Sequence, residues 1–281
     1  MASDLRLTVL GSATPCPAAG NPCSGYLVEG GGTRVWADAG SGTLGALQRY
    51  ARLDQVDAIW ISHLHADHTA DLLTASYGLR HADIELAAPI PLYGPPGIAD
   101  RLAAFLTHGE RRSPVEQAFA VHELHDGHQV RVGALELTSR EVAHGMPAFA
   151  LRVNHEGRSL VYSGDSAPCA ALTELAAACG TLLCEAACAD TADGAGVHHS
   201  PEDAGDTATA AGARRLIVTH VGRAVEPVDA VRRAATRFPG PVAYAAPGAV
   251  FPVDGHEPGP DASSTSVTHM DPTECGISYL R

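Results

Sequence analysis

The sequence lacks long apolar segments. No run approaches the ~18 consecutive apolar residues that a membrane-spanning helix needs, so we expect no membrane span. Residues 1–11 lack a basic segment followed by an apolar segment and a cleavage site, and we therefore predict no secretory signal peptide. These two absences leave a cytoplasmic protein as the expectation.

Positively charged residues are also scarce. The 281-residue chain has 19 Lys and Arg residues against 32 Asp and Glu residues, which gives a formal net charge of −13. This charge opposes broad, non-specific binding to nucleic acids or to anionic membranes. The seven cysteines are scattered and none has C-x-x-C spacing, which disfavours a disulfide-rich fold and favours a reducing compartment.

Glycine, proline and histidine are well represented. The 29 glycines and 19 prolines cluster between short apolar segments, and 15 residues are histidine. Hydrophobic residues at 45% and charged residues at 18% are typical of a globular domain with a core. The combination favours many loops on a rigid framework, where ligand-binding and catalytic residues commonly lie.

Strand patterns and helix patterns alternate along the chain. Two strand patterns flank the glycines at 30–32, which is a hairpin signature. A second block of strand patterns begins at residue 129, so the chain divides near residue 120. This organisation predicts a mixed α/β fold with two β-sheets and helices on the outer faces.

Two predicted helices carry end signals. Residues 201–211 follow Ser200, a residue type that caps helix N-termini. Residues 170–179 precede Gly180, which we predict to be the C-cap of that helix.

The C-terminal residues differ in composition from the rest. Residues 254–281 are rich in proline, glycine and serine, whereas residues 1–253 carry the strand and helix patterns. We interpret residues 1–253 as one domain and residues 254–281 as a tail. Because residues 277–280 are apolar, the tail is expected to dock on the domain or on a partner subunit.

The strongest functional signal is the motif HLHADH at residues 63–68, directly after a predicted strand. Side chains at i and i+2 of extended backbone point the same way, so His63 and His65 can bind one ion. Asp67 and His68 lie where the loop turns into a helix, and they can face a second ion. This mixture of imidazoles and carboxylate suits a borderline divalent metal.

Three further candidate ligands follow short apolar segments. His144, Asp165 and His220 each stand at the end of such a segment. Residues at the ends of several strands can meet in one place, so together with the HLHADH motif they indicate a single metal centre.

These motifs resemble those of the metallo-β-lactamase superfamily, closest to its ribonuclease Z-like and cyclic-phosphate phosphodiesterase branch. The resemblance covers most of residues 5–253 and rests on GSATP at 11–15, WADAGSG at 36–42, HLHADH at 63–68, SGD at 163–165, HHS at 198–200 and TH at 219–220. It implies an α/β fold of αββα type, a sandwich of two mixed β-sheets with helices on the outer faces. Residues 1–253 would then be a metallo-β-lactamase-like catalytic domain, and the protein a homodimer.

By the same resemblance, seven residues would bind two divalent metal ions. One ion would be held by His63, His65 and His144, the other by Asp67, His68 and His220, and Asp165 would bridge the two. Zn²⁺ is the expected metal, with Mn²⁺ or Fe as alternatives.

The resemblance also implies a general acid. His198 resembles the family's non-ligand catalytic histidine, which protonates the leaving oxygen, and Glu185 resembles the acidic residue that orients it. Asp67 would serve in catalysis as well as in metal binding. His198 is favoured over His199 because the family places this histidine two residues before Ser or Thr. The alternative is that one of the two histidines only caps the helix at 201–211.

The implied chemistry is hydrolysis of a phosphodiester. Two divalent ions, with the charges of two aspartates and a bridging hydroxide, leave about +1 at the centre, which attracts a phosphate. Paired metals lower the pKa of bound water and supply this hydroxide near neutral pH. We expect a small anionic substrate, such as a cyclic nucleotide or a cyclic sugar phosphate.

Nucleic acid is not an expected substrate. Ribonuclease Z carries a long arm between the third metal-binding histidine and the bridging aspartate, whereas His144 and Asp165 are only 21 positions apart. Two alternatives stay open. The same metals can hydrolyse a carboxylic ester, thioester, lactone or lactam, and the protein can be a non-catalytic metal-binding scaffold.

Overall fold

The computed structural model describes residues 5–82, 86–105, 111–190 and 196–253. The predicted tail at 254–281 lies outside the described residues, so the predicted domain boundary stays a prediction. In the described part of the chain, the strands form two sheets of seven. No helix in these ranges is long and apolar enough to cross a membrane.

The strands and helices follow the predicted alternation. The strands are β1 (Arg6–Gly11), β2 (Gly25–Gly30), β3 (Thr33–Ala37), β4 (Ala58–Trp60), β5 (Ile90–Gly94), β6 (Phe119–Glu123), β7 (Gln129–Val132), β8 (Leu135–Glu141), β9 (Phe149–His155), β10 (Arg158–Tyr162), β11 (Thr181–Ala186), β12 (Leu216–Val221), β13 (Val242–Tyr244) and β14 (Val250–Pro252). The helices are α1 (Thr43–Leu47), α2 (Ala66–Thr69), α3 (Asp71–His81), α4 (Ile98–Phe105), α5 (Ala170–Leu175), α6 (Pro201–Ala211) and α7 (Pro227–Ala234).

Each sheet is mixed. The first has the order β14-β1-β2-β3-β4-β5-β6, and its strands β3 to β6 run parallel to one another. The second has the order β13-β12-β11-β10-β9-β8-β7, and its strands β10 to β13 are parallel. The chain passes from the first sheet to the second after β6, close to the predicted division. It then returns, because β14 pairs with β1, a pairing that the sequence did not indicate.

Three apolar clusters hold the layers together. One lies between the two sheets and contains Leu7, Trp60, Leu137 and Leu160. A second packs α1, α3 and α4 against the first sheet, and a third packs α5, α6 and α7 against the second sheet. Helices therefore cover both outer faces, and the predicted αββα sandwich is confirmed. Strands such as β2 and β11 are buried on both faces, which explains why most of their residues are apolar or small.

Of the two predicted helix ends, one is confirmed and the other is wrong. The N-cap prediction for α6 is confirmed, since the Ser200 hydroxyl accepts from the Asp203 N–H. The C-cap prediction at Gly180 is wrong. The helix α5 ends at Leu175, and the left-handed residue that turns the chain is Ala178, with φ 50°. The Ala178 N–H donates to the Ala211 carbonyl at the end of α6, and this long-range bond fixes where the chain reverses.

The left-handed conformation of Ala178 yields a stability prediction. Ala178 is exposed, and a Cβ in the left-handed region costs about 1–2 kcal/mol that glycine avoids. After the greater chain entropy of unfolded glycine is subtracted, Ala178→Gly should raise the free energy of unfolding by about 0.5–1 kcal/mol. Urea denaturation measures this difference. As a matched control, Ala210→Gly on the exposed face of α6 should lower it by up to about 1 kcal/mol, and equal effects of the two variants would contradict the prediction.

Candidate metal centre

The candidate ligands meet at one edge of the sandwich. His63 and His65 follow β4, and Asp67 and His68 lie in the short helix α2. The other three come from the second sheet: His144 lies between β8 and β9, Asp165 follows β10, and His220 is in β12. The structure therefore brings all seven predicted ligands together. Strands β4, β10 and β12 are parallel members of their sheets and end at this edge, which is why residues distant in sequence become neighbours.

Asp165 lies at the middle of the cluster. Its Oδ2 is 3.2 Å from His220 Nε2, 3.6 Å from His63 Nε2 and 3.9 Å from His144 Nε2. Its Oδ1 is 3.3 Å from His68 Nε2. One buried carboxylate thus contacts four imidazoles that come from both sheets.

The remaining contacts divide the ligands into two sets. In the first set, His65 Nδ1 lies 2.9 Å from His63 Nε2 and 3.2 Å from His144 Nε2. In the second set, Asp67 Oδ2 lies 3.8 Å from the Nε2 atoms of both His68 and His220. Within each set the donor atoms all lie within 4.8 Å of one another, with Asp165 grouped in the first. This division matches the one that the family resemblance implies.

Two polar atoms support a fit to metal ions. His68 Nε2 and Asp165 Oδ1 are buried and 3.3 Å apart, and neither forms a hydrogen bond of acceptable geometry with any of the described residues. Buried nitrogen and oxygen atoms nearly always have a partner, so a cation between these two atoms would satisfy both. Imidazoles with carboxylates are donors that suit borderline divalent ions. The cluster is therefore able to bind metal ions.

The charges within the cluster support each other. Burial raises the pKa of Asp165, but the neighbouring His220 and His68 outweigh it and hold this pKa well below its usual range. Burial lowers the pKa of His68, but Asp165 and Asp38 outweigh it and raise this pKa well above the usual value. Asp165 therefore stays ionised, which suits a carboxylate that binds a cation.

The outward nitrogen of each buried ligand imidazole has a fixed partner. Hydrogen bonds join His63 Nδ1 to the Ser62 hydroxyl at 3.0 Å and His220 Nδ1 to the Ser24 hydroxyl at 2.8 Å. His144 Nδ1 donates to the carbonyl of Val197 at 2.9 Å. These bonds set the ring orientation and leave Nε2 directed at the centre.

Asp38 is a supporting residue that the sequence analysis did not identify. It is fully buried in a left-handed conformation, with φ 57°, and accepts from His68 Nδ1 at 2.7 Å. It also accepts from the backbone N–H and hydroxyl of Ser62 and from the Tyr162 hydroxyl, at 2.7, 2.8 and 2.7 Å. Its position directly after β3, in the WADAGSG segment, was the only feature of the sequence that could have pointed to this role. Asp38 thus holds the HLHADH loop against both sheets.

The two adjacent histidines, His198 and His199, have different surroundings. The His198 ring lies 5.0 Å from the His144 ring and 6.3 Å from the His220 ring, and its side chain is 26% exposed. The His199 ring is fully buried; its Nδ1 donates to the Ser166 carbonyl and its Nε2 bonds the Thr207 hydroxyl. His198 therefore faces the centre, whereas His199 ties α6 to the loop after β10.

Glu185 in β11 holds His198 in place. Its Oε1 accepts from His198 Nδ1 at 2.8 Å, and the same carboxylate accepts the N–H groups of Ser166 and Ala187. Burial lowers the pKa of His198, but the hydrogen bond and charge of Glu185 outweigh it and raise this pKa above the usual value. The pair can therefore hold a proton at the rim of the centre near neutral pH.

Comparisons with known proteins identify the family and the fold of the chain. A family model described as a beta-lactamase superfamily domain matches residues 13–221. An uncharacterized protein of Mycobacterium leprae (strain TN) is 35% identical over 257 residues, covering 90% of this chain and 90% of that protein. A ribonuclease Z of Mycobacterium sp. (strain KMS) is 32% identical over 270 residues, covering 84% of this chain and 91% of that protein. The solved metallo-beta-lactamase fold protein YhfI from Bacillus subtilis has a TM-score of 0.78 and 26% identity, covering 89% of this chain and 99% of that chain.

The hydrogen bonds of Asp38 predict its effect on metal binding. Asp38→Asn should lower metal affinity about 10- to 100-fold, because His68 loses the carboxylate that fixes its ring. Metal per chain, measured by mass spectrometry after dialysis against a graded chelator, tests this. Tyr162→Phe removes one donor to Asp38 and is the control, since it should cost stability but little metal. Full metal retention in Asp38→Asn would contradict the supporting role.

Proposed function

Because the chain belongs to the metallo-β-lactamase superfamily, we propose that it is a metal-dependent hydrolase of small phosphodiesters such as cyclic nucleotides or cyclic sugar phosphates. The observation that carries the proposal is the joint geometry of the centre. Asp165 contacts four imidazoles, and the His198–Glu185 pair stands 5.0 Å away from the nearest of these rings. A pair of metal ions beside a histidine that can give a proton to the leaving oxygen is an arrangement suited to phosphodiester cleavage.

The proposed metal ligands follow the two sets. His63, His65 and His144 would hold one ion, Asp67, His68 and His220 the other, and Asp165 would contact both. Two divalent ions there, Zn²⁺ first and Mn²⁺ or Fe as alternatives, would supply Lewis acidity and a water of lowered pKa. Asp67, on the rim of the second set, would also help to position the attacking water.

His198 is proposed as the general acid. Its Nδ1 hydrogen is engaged by Glu185, so the Nε2 hydrogen of the protonated ring is left for the leaving oxygen of the substrate. Glu185 is the positioning residue, because its buried carboxylate fixes the ring and favours the protonated form. A placed general acid of this kind contributes about 10²–10⁴-fold to the rate.

A small substrate is favoured over a folded RNA. The chain between His144 and Asp165 is occupied by β9 and β10, which are joined by a tight turn at Glu156 and Gly157. This leaves no room for an inserted arm, and the net charge of −13 opposes phosphate-rich polymers. The relative named ribonuclease Z makes RNA processing the second candidate.

A substrate panel tests the proposal. Metal-loaded protein is assayed on bis-p-nitrophenyl phosphate, cyclic nucleotides, a thioester, a lactone and a precursor tRNA. The proposal expects the highest kcat/KM on a small phosphodiester. Preference for the thioester or lactone would replace it with acyl hydrolysis, and preference for the tRNA would replace it with RNA processing. Lack of turnover on the whole panel by fully metallated protein would revive the scaffold alternative. The homodimer and the cytoplasmic location stay predictions.

Removal of the proposed general acid should separate catalysis from metal binding. His198→Ala should lower kcat about 10²–10⁴-fold while the metal content stays unchanged, because no ligand is lost. His199→Gln is the matched control, since it should lower Tm through the buried bonds to Ser166 and Thr207 more than it lowers kcat. Full activity of His198→Ala would remove that residue from the mechanism.

Glu185→Gln should move the pH profile. The carboxylate raises the pKa of His198, so its removal lowers that pKa and the general acid deprotonates at a lower pH. The alkaline limb of kcat against pH should therefore shift to lower pH. A purely structural Glu185 would lower Tm and leave that limb in place.

A further inference from the structure

One arginine close in sequence to a candidate ligand, Arg223, has no acidic partner among the described residues. The sequence contains no lysine, so arginine supplies every permanently charged side-chain cation. Most exposed arginines in the described ranges form ion pairs, as Arg232 does with Asp229 and Arg112 with Glu116. Arg223 is exposed and forms no ion pair within the described part of the chain, and its Nη1 lies 3.8 Å from Cys16 Sγ.

Arg223 lies on a tightly fixed segment that directly follows a candidate ligand. Arg223 is three positions after His220, and Gly222 between them packs tightly on the segment that follows Glu185. A Cβ on Gly222 would lie 1.9 Å from the Ala187 carbonyl oxygen, so only glycine fits there. The Gly222 carbonyl accepts from the Val225 N–H at 2.9 Å and closes the turn that presents Arg223.

The other side of this contact also belongs to the rim. Cys16 lies in the loop between β1 and β2, and two positions earlier the Thr14 hydroxyl is 3.5 Å from Asp67 Oδ2. The contact between Arg223 and Cys16 therefore spans two loops that both adjoin the Asp67 and His220 ligand set. A thiol is a weak hydrogen-bond acceptor, so the contact with Cys16 does not neutralise the guanidinium charge. It also holds the Arg223 side chain only weakly.

We propose that Arg223 binds an anionic oxygen of the phosphodiester at the Asp67 and His220 side of the centre, and so selects anionic over neutral esters. This inference rests on the proposed function. The guanidinium is a planar fork that bonds phosphate oxygens in pairs, and such charge-assisted bonds are strong. In a protein of net charge −13, a cation that forms no ion pair with the described residues and lies three positions after His220 offers an anion local attraction.

Binding of inorganic phosphate tests the proposal without turnover. Isothermal titration of metal-loaded protein with phosphate should give a Kd about tenfold or more higher in Arg223→Ala, and an intermediate Kd in Arg223→Lys, which keeps the charge but loses the fork. Arg232→Ala on α7 is the matched control and should bind phosphate as the unmodified protein does. Equal phosphate Kd values for Arg223→Ala and the unmodified protein would overturn the proposal.

Kinetics separate this inference from the proposed function. In Arg223→Ala, KM for bis-p-nitrophenyl phosphate should rise about tenfold, while kcat/KM for the neutral ester p-nitrophenyl acetate stays within twofold. Equal losses on both esters, or no loss on the phosphodiester, would overturn the role in selectivity. If the unmodified protein cleaves no phosphodiester, the proposed function fails, and the phosphate titration still decides whether Arg223 binds the anion. The Tm of each variant is measured to check that it is folded. If an Arg223 variant is not folded, Arg223→Gln is used in its place.

Discussion

The contact between the Asp165 carboxylate and four imidazoles is the constraint on which the rest of the centre depends. The four rings come from both sheets, so the contact forms only when the two sheets pack with their strand ends in register. A buried carboxylate without partners would cost several kcal/mol. The apolar layer between the sheets supplies the packing that brings these rings together. The polar atoms lie outside this layer, at the edge where the strands end.

The imidazole rings at this edge are held in place by residues that hydrogen-bond to their outward nitrogens. Asp38, Ser24 and Ser62 hold the outward nitrogens of three rings, and Glu185 does the same for His198. The carboxylates of Asp38 and Glu185 only accept, so they fix a hydrogen on the nitrogen that they contact, and the serine hydroxyls fix the orientation of their rings. Ligand identity alone would allow many ring orientations, and the bonds behind the rings select one of them.

The sequence was informative where the signal was local. The alternation of strands and helices, the HLHADH motif and the N-cap of α6 are local patterns, and the structure has the αββα arrangement and the cap as predicted, whereas β14 was not predicted. His144, Asp165 and His220 were identifiable as polar residues that end apolar segments. What the sequence could not supply depends on distant contacts. The support from Asp38 arises because β3, β4 and β10 are neighbours in space, the reversal at Ala178 is fixed by Ala211, and Arg223 acquires its setting from Ala187 and Cys16. Periodicity and propensity carry no information on such pairs.

The return of β14 to the first sheet has a consequence for synthesis on the ribosome. Strand β1 pairs with β2 on one side, and its other side meets β14, with Arg6 opposite Pro252. The amino-terminal half can therefore collapse early, but its outer strand keeps unpaired backbone groups until nearly the whole described chain has emerged. An exposed strand edge is a template for pairing with other chains, so a nascent or truncated product that ends before residue 250 would be prone to self-association through β1.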